Sequence, residues 1–423
     1  MNDSTRNSLQ QWLDANLEQP TVAGKYFYPL TLPTYGKEEV AAAVECMCDY
    51  QTSMGSLTRQ FEQEFAAWTG AHDAVMVNSG SSADLLLAFN LVNPLNPRLQ
   101  PGDEVLVPAV TWPTQVWSPM MAGLTVKLVD VDPDTLNIDF DDLRRRITSK
   151  TKCIFAVHLM GSPCDMQELT RICDEYSLLL IEDCCESLGA SYDGQHVGNF
   201  GLGGTFSFFF SHHMTTMEGG MIICGNDEEA EALRVLRAHG WSRSVAPKCT
   251  GQEVDSRFRF LNWGFNVRPT ELQAAFGLQQ LKKLDSMNAR RDTLAARFDD
   301  YINNTPHIKR VTVPQNGTAC PLALVVQLAG PAASKRDELV GVLETAGIET
   351  RPIVTGNLAR QPAARLIGSV DPLDYPGAEA IHNHGFYLGL NPMFDDVLFE
   401  RMVSTLDQSI NQVLGTSSIR KAG

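Results

Sequence analysis

Short apolar runs alternate with amphipathic stretches along the first two thirds of the chain, and this alternation predicts the fold class. Most of the runs are rich in β-branched or aromatic residues and are followed by turn residues, which is typical of buried strands. The predicted strands are residues 74–77, 105–110, 127–131, 153–159, 178–181, 205–210 and 221–224. Because strands separated by helices usually form a mostly parallel sheet, the pattern predicts an α/β domain.

The pattern changes after a helix predicted at residues 269–284, and the remainder of the chain is expected to form a second lobe. Pro269 is expected in the first turn of that helix, where its missing N–H costs nothing. A charged helix at 287–300 follows, and then a strand at 322–328 and a helix at 335–346. The expected parts are an N-terminal extension at residues 1–27, a large domain at 28–286 and a smaller C-terminal domain at 287–423.

Composition and charge narrow the function classes. The 423 residues are 43% hydrophobic and 20% charged, as in an ordinary globular protein, and the net charge is −16. This negative charge disfavours nucleic acid or an anionic membrane as a partner. No apolar stretch approaches the roughly 20 residues of a membrane span. Residues 1–20 lack a secretory signal pattern and the ten cysteines are scattered, so we expect a cytoplasmic protein with free thiols.

A turn of small residues precedes the first helix of the predicted α/β domain. Residues 78–83 read Asn-Ser-Gly-Ser-Ser-Ala, and they include Gly80 and Ser81. Such a turn lets the backbone approach an anion, which the helix N-terminus attracts. Plain N-capping explains the same composition, so both interpretations stay open. Ser207 lies between two phenylalanines in a predicted strand, where its hydroxyl would supply another phosphate ligand.

Two further residues follow predicted strands. Asp183 comes at the carboxyl end of a buried apolar run, which is where open α/β sheets bind ligands. An aspartate that caps a helix is an equally good interpretation of that position. Trp112 follows the strand at 105–110 and would either stack on a ligand ring or pack in the core.

The sequence contains little that predicts a metal site. Cys46 and Cys48 form a lone Cys-x-Cys pair without a second pair at zinc spacing. His212 and His213 are adjacent, and adjacent side chains on an extended segment face opposite ways. We therefore expect no metal.

The motifs together resemble a known family. Residues 205–220 read Thr-Phe-Ser-Phe-Phe-Phe-Ser-His-His-Met-Thr-Thr-Met-Glu-Gly-Gly, and residues 264–269 read Gly-Phe-Asn-Val-Arg-Pro. In this order, from about residue 28 to 357, they resemble the DegT/StrS sugar aminotransferases and dehydratases, which use pyridoxal 5′-phosphate (PLP). In the aminotransferases a lysine stands six residues before the Glu-Gly-Gly. Here that position is His212, which can move protons but cannot bond to the PLP aldehyde as lysine does.

The resemblance implies a fold and a set of site residues. The fold is PLP fold type I, the aspartate aminotransferase fold, with a large domain built on a mostly parallel sheet and a smaller C-terminal α+β domain. Asp183 would hold the ring nitrogen, with Trp112 on one ring face, Cys185 behind the other and Glu186 near the ring hydroxyl. The implied phosphate ligands are Gly80, Ser81, Ser207 and, from the neighbouring subunit of an obligate homodimer with shared active sites, Asn266. Arg243 and Glu349 would face the substrate.

Two late motifs narrow the implied activity. Residues 237–243 and 346–357 are most similar to the 3-dehydratases that act on GDP-linked 4-keto-6-deoxymannose. That subgroup implies removal of the C3 hydroxyl of a nucleotide-linked 4-keto-6-deoxyhexose. L-Glutamate would convert PLP to pyridoxamine 5′-phosphate, 2-oxoglutarate and ammonia would be released, and His212 would serve as the base. Which nucleotide and which sugar stereochemistry the enzyme takes stays open.

Three alternatives accompany this hypothesis. A related dehydratase type carries an iron–sulfur cluster, but only Cys224, Cys249 and Cys320 follow His212, and they form no Cys-x-Cys. A nucleotide-sugar aminotransferase would yield a stable amino sugar and no ammonia. A non-catalytic PLP-binding protein is disfavoured because the cofactor ligands are retained.

Overall fold

The chain alternates strands and helices in the order that the hydrophobic pattern predicts. A computed structural model describes residues 1–18, 24–244 and 254–416. The α-helices are α1 (Asp3–Asn16), α2 (Lys37–Cys48), α3 (Ser56–Thr69), α4 (Gly80–Leu91), α5 (Thr114–Met121), α6 (Phe140–Arg146), α7 (Met166–Tyr176), α8 (Asp227–Arg237), α9 (Glu271–Asn303), α10 (Arg336–Thr345), α11 (Pro376–His384) and α12 (Asp396–Leu414). The strands are β1 (Asp73–Val77), β2 (Glu104–Pro108), β3 (Thr125–Val129), β4 (Thr151–Val157), β5 (Leu179–Asp183), β6 (Ser191–Tyr192), β7 (Gln195–His196), β8 (Gly203–Ser207), β9 (Gly220–Cys224), β10 (Ile308–Lys309), β11 (Gly317–Thr318), β12 (Ala323–Leu328), β13 (Thr350–Arg351) and β14 (Gly385–Gly389).

A seven-stranded sheet in the order β1-β9-β8-β5-β4-β2-β3 forms the centre of the molecule. The neighbours from β8 through β5, β4 and β2 to β3 are parallel, whereas β9 is antiparallel to both β8 and β1. Every predicted strand of the α/β domain overlaps a strand of this sheet, which confirms the predicted fold class. The carboxyl ends of the parallel strands lie along one edge of the sheet, where α/β sheets bind ligands.

The central sheet is buried on both faces, which explains why its strands are continuous apolar runs. In β2, Val105 and Val107 pack into one hydrophobic cluster, whereas Leu106 between them packs into another. Successive side chains of a strand point to opposite faces, so each face has its own core. Strand β2 is therefore buried along its whole length.

The C-terminal lobe is built on an antiparallel sheet in the order β10-β12-β14-β13, with a separate hydrophobic core. The N-terminal segment joins this lobe, because Tyr28 pairs with Ile348 and its hydroxyl donates to the carbonyl of Gly389 at 3.0 Å. The lobe is the expected α+β domain. The exact boundaries at residues 27 and 286 stay a prediction.

Helix α9 differs from the sequence prediction in one respect. The helices predicted at 269–284 and 287–300 are parts of one continuous helix that passes the proposed boundary. Thr270 caps it, with its hydroxyl accepting from the N–H of Gln273, so Pro269 precedes the cap instead of lying in the first turn. Leu284 and Met287 are both buried, so the apolar face continues across the charged stretch.

The N-terminal helix α1 packs on α2, its residue Leu13 is buried, and two ion pairs join the two helices. Arg6 contacts Glu45 at 2.7 Å and Lys37 contacts Asp14 at 2.5 Å. Among the helices of the described residues, none combines the length and the apolar character that crossing a membrane requires.

Candidate active site

A cavity of about 430 Å³ lies at the carboxyl ends of β5 and β8, against the N-terminus of α4. Eight of the eleven site residues predicted from the sequence line it. They are Gly80, Ser81, Trp112, Asp183, Cys185, Glu186, Ser207 and His212. The other three, Arg243, Asn266 and Glu349, are not among its lining residues within one chain.

One end of the cavity is formed where α4 begins. The hydroxyl of Ser79 accepts from the N–H of Ser82 at 3.1 Å, so Ser79 provides the cap. A Cβ atom on Gly80 would lie 2.6 Å from Cβ of Ser207, so only glycine fits between α4 and β8. Ser81 and Ser207 line the cavity beside this close contact. Uncapped N–H groups and hydroxyls at a helix N-terminus suit a phosphate group.

The acidic centre of the cavity is Asp183, the last residue of β5. It is 4% exposed, and its Oδ1 accepts from the N–H of Cys185 at 2.7 Å. No helix begins there, since residues 184–190 form turns, so the helix-cap interpretation is wrong. Burial raises the pKa of Asp183, and the Cys185 N–H opposes that shift. A buried carboxylate without a neighbouring cation is unfavourable, so this site suits a cationic partner such as a protonated ring nitrogen.

The base candidate, His212, lies in the loop after β8 and is partly buried. Its Nδ1 is 2.7 Å from the carbonyl oxygen of Cys185. A carbonyl only accepts, so Nδ1 carries the proton and Nε2 keeps a lone pair. Burial, helped by the positive charge of Arg291, lowers the pKa of His212 to about 4. The imidazole is therefore neutral near pH 7, with Nε2 unprotonated.

The neighbouring histidine faces away from the cavity. His213 is fully buried, and its Nε2 lies 3.0 Å from the carbonyl oxygen of Cys320. Arg291 reinforces the turn by donating to the carbonyl of His213 at 3.2 Å. The two adjacent histidines thus have different surroundings.

Another side of the cavity contains Glu186 and Tyr387. Oε2 of Glu186 accepts from the N–H of Met160 at 2.9 Å, and burial raises the pKa of Glu186 to about 7. Tyr387 comes from β14 of the C-terminal lobe, and burial raises its pKa as well. Trp112 also lines the cavity and is 56% exposed.

Several lining residues were not predicted from the sequence, and Asp84, Gln115 and Tyr387 are among them. Asp84 follows Gly80 by one helical turn, which places both on the same helix face, so this spacing was a usable signal. Gln115 follows Trp112 by three residues. Tyr387 carries no local signal, because only the packing of the two lobes brings it to the cavity.

One buried cluster in the described chain has metal-ligand geometry, namely His158, Glu182 and Cys184. Nδ1 of His158 accepts from the N–H of Cys164 at 3.0 Å, and Nε2 is 3.1 Å from Glu182. The carboxylate of Glu182 also accepts from three backbone N–H groups. The ring nitrogens of His158 and the carboxylate oxygens of Glu182 already take part in hydrogen bonds, so the cluster is a hydrogen-bond network. The absence of a metal stays a prediction, and Cys249 lies outside the described residues.

The three predicted residues outside the cavity have other surroundings. Arg243 lines a second cavity of about 780 Å³, together with Arg59 and Arg268. Asn266 is exposed on the segment that pairs with Ala238. Oε2 of Glu349 accepts from the N–H of Leu30 at 3.1 Å, and its Oε1 contacts Arg351 at 2.8 Å.

Several known proteins are similar to this chain in sequence and in fold. A GDP-4-keto-6-deoxy-D-mannose 3-dehydratase of Yersinia pseudotuberculosis is 39% identical over 369 residues, which cover 86% of this chain and 93% of the relative. E. coli GDP-4-keto-6-deoxy-D-mannose-3-dehydratase with bound hydrated PLP gives a TM-score of 0.84 at 36% identity, covering 90% and 99% of the two chains. GDP-4-keto-6-deoxymannose-3-dehydratase with a trapped PLP-glutamate geminal diamine also gives 0.84, at 35% identity over 90% and 100%. With residues 33–407 matching its sequence pattern, the chain belongs to the DegT/DnrJ/EryC1/StrS aminotransferase family.

Proposed function

We propose that the protein is a PLP-dependent 3-dehydratase that removes the C3 hydroxyl of a GDP-linked 4-keto-6-deoxyhexose. L-Glutamate serves as amino donor, and 2-oxoglutarate and ammonia are the further products. The observation that carries this proposal is His212, a neutral imidazole in the position of the aminotransferase lysine. The relatives compared above are themselves 3-dehydratases for GDP-4-keto-6-deoxymannose.

The cavity residues fit the phosphate of PLP. The close contact between Gly80 and Ser207 opens the N-terminus of α4 to an anion, and Ser81 stands beside it. Backbone N–H groups and two hydroxyls would hold the phosphate by charge and hydrogen bonds. No lysine can anchor the cofactor covalently at position 212, so these contacts have to provide much of its affinity.

The same cavity fits the ring of PLP. Asp183 would pair with the ring nitrogen and keep it protonated, and Trp112 would stack on one face with Cys185 behind the other. Glu186, whose pKa is raised to about 7, would lie near the ring hydroxyl. Bound in this way, PLP supplies an electron sink and, in its amine form, a group that condenses with a sugar ketone.

His212 would move the proton in the dehydration. Its Nδ1–H is held by the Cys185 carbonyl, which fixes the ring and leaves Nε2 as the basic nitrogen. Nε2 would accept a proton from the C4′ carbon of the cofactor. The resulting imidazolium would deliver that proton, as a general acid, to the departing C3 hydroxyl of the sugar. Water would then complete product release, because no lysine amine is present to do so.

A second copy of the chain would complete the site. We infer a homodimer in which the partner subunit's Asn266 reaches the phosphate, while Arg243 and Glu349 face the substrate. In support, none of the three lines the cavity of its own chain, and the cavity at Arg243 contains several arginines suited to an anionic substrate. The nine cysteines of the described residues are free, which fits the reducing cytoplasm.

The test is a coupled reaction of the protein with PLP, L-glutamate and GDP-4-keto-6-deoxymannose. We expect a product that has lost the C3 oxygen, with 2-oxoglutarate and ammonia formed in equal amounts. A product that keeps its hydroxyls and gains an amine would identify an aminotransferase instead. Formation of 2-oxoglutarate once per site with no sugar product would show that the cofactor chemistry is right and the sugar is wrong.

A further inference from the structure

A second buried carboxyl lies close to Asp183, and one side-chain amide joins the two. Nε2 of Gln115 donates to Oδ2 of Asp84 at 2.9 Å and also to Oδ2 of Asp183. Asp84 and Gln115 are each 1% exposed, so these contacts are largely shielded from solvent. Neither residue is needed to hold phosphate or to move the proton in the dehydration, so the arrangement calls for a separate explanation.

The orientation of the Gln115 amide is fixed at both ends. The hydroxyl of Thr111 donates to Oε1 of Gln115 at 3.0 Å, and Asp84 attracts the amide nitrogen. If the amide were reversed, its oxygen would face Asp183, and two acceptors would be left in contact without a proton between them. Such a contact at a buried site costs about 1–3 kcal/mol.

We propose that Asp84 is a positioning residue, which holds the amide nitrogen of Gln115 toward Asp183 and so fixes the carboxylate that receives the cofactor ring nitrogen. The inference rests on the proposed PLP site. With Gln115 on Oδ2 and the Cys185 N–H on Oδ1 at 2.7 Å, the Asp183 carboxylate cannot rotate freely. A fixed carboxylate binds the ring nitrogen without a further cost of ordering.

The hydrogen bonds of Asp84 indicate that its shape matters more than its charge. Thr205 donates to Oδ1 at 2.7 Å, and Thr114 donates to Oδ2 at 2.9 Å. Burial and the neighbouring Asp183 raise the pKa of Asp84 well above its ordinary value. A neutral Asp84 would carry its proton on Oδ1 and donate it to Thr205, whose hydroxyl can turn toward the carbonyl oxygen of Glu182 at 3.4 Å. Oδ2 then stays an acceptor for Gln115. Asparagine can reproduce this arrangement, whereas serine and leucine cannot.

The experiment compares PLP binding to the apo forms of the full-length wild type, Asp84→Asn, Asp84→Ser and Asp84→Leu. Absorbance titration gives the dissociation constant of PLP, and thermal unfolding of each apo protein reports its folding separately. We expect Asp84→Asn to bind PLP nearly as tightly as wild type. In Asp84→Ser and Asp84→Leu the dissociation constant should rise about tenfold or more, the effect of losing one buried hydrogen bond to a charged group.

Each outcome of this experiment either supports or overturns the proposed role of Asp84. Equal loss of affinity in Asp84→Asn and Asp84→Ser would overturn the proposal, because charge and not amide orientation would then matter. Unchanged affinity in Asp84→Ser would overturn it too. If Asp84→Leu does not fold, Asp84→Ser alone decides the test. Because Asp84 acts through Gln115, Asp84→Ser should cause no further loss of PLP affinity in a protein that already carries Gln115→Leu. If wild-type protein itself fails to bind PLP, the proposed function fails, independently of Asp84.

Discussion

The carbonyl oxygen of Cys185 accepts a hydrogen bond from Nδ1 of His212 at 2.7 Å. This contact joins the turn after β5 to the loop after β8, and it fixes both the tautomer and the plane of the imidazole. The backbone of the same loop is held by Arg291, which donates to the carbonyl of His213 at 3.2 Å. An imidazole that is oriented from two sides keeps Nε2 in one place, as the proposed proton transfer requires.

Replacing His212 with asparagine should stop the dehydration and leave the cofactor bound. Asparagine can still donate to the Cys185 carbonyl, but it has no basic nitrogen, so turnover should fall at least about a hundredfold. The rate of deoxysugar formation and the absorbance of bound PLP measure the two properties. His212→Lys is the companion variant, in which a covalent bond to PLP should appear as a shifted absorbance band. Wild-type turnover in His212→Asn would eliminate His212 as the base.

The lowered pKa of His212 should also make the apo protein sensitive to acid. The folded-state pKa is about 4 and the ordinary value is 6.5, so between these values the unfolded chain binds more protons than the folded one. Stability should therefore be lost as pH falls from about 6.5 to about 4 and should be unaffected by this group above that window.

In His212→Asn this contribution is absent. The free energy of unfolding of wild type relative to the variant should thus decrease by roughly 1–3 kcal/mol across the window. Urea unfolding of both apo proteins at several pH values provides the measurement. Parallel pH profiles for the two proteins would mean that His212 titrates normally in the fold.

Substituting Gly80 with alanine should impair both folding and cofactor binding. The added Cβ would lie 2.6 Å from Cβ of Ser207 and 3.1 Å from its Cα, so β8 or α4 has to shift. We expect a loss of roughly 1–3 kcal/mol of stability, together with weaker PLP binding, because the shift would disturb the proposed phosphate site. Gly341→Ala is the matched control, since Gly341 is exposed within α10 and a Cβ there meets nothing within 4 Å.

That control should gain about 0.5–1 kcal/mol, the usual advantage of alanine over glycine in a helix. Thermal unfolding and PLP titration of both variants measure the effects. If Gly80→Ala behaved like Gly341→Ala, the close contact between α4 and β8 would not exist in solution.

Local sequence carries the parts of the site that depend on one element or one turn. Asp183 ends one apolar run, and Gly80 begins the helix that follows a different apolar run. Their places at the same edge of the sheet therefore follow from the α/β topology. His212 was recognisable because motif order fixes its position relative to the Glu-Gly-Gly turn. These features were predictable since each is encoded within a few residues of the strand that positions it.

Contacts between distant elements were not predictable in the same way. Tyr387 lies on β14 of the C-terminal lobe and lines the cavity beside Glu186, and no pattern around Tyr387 indicates this. The link from Gln115 to Asp183 likewise depends on how α5 sits over the sheet. Helix α9 appeared as two helices because its charged stretch looks like a break, although Leu284 and Met287 keep its apolar face continuous.

The proposed shared site predicts that two inactive variants restore each other. His212→Asn lacks the base, and Asn266→Ala lacks the phosphate ligand that each subunit would lend to its partner. In a hybrid dimer one site would carry both substitutions, and the other would combine an intact His212 with an intact Asn266. Random exchange of equal amounts should thus recover about one quarter of wild-type activity, since half of the dimers are hybrids with one working site.

The measurement is the rate of product formation after the two variants are unfolded together and refolded. Variants refolded separately and then mixed without exchange provide the control and should stay inactive. If each site were made within one chain, mixing the variants could not restore activity. Recovery is expected because Asn266 lies outside the cavity of its own chain and would serve the partner's site. Absence of recovery, with hybrid dimers demonstrated by mass, would show that Asn266 serves the subunit that carries it or serves no site at all.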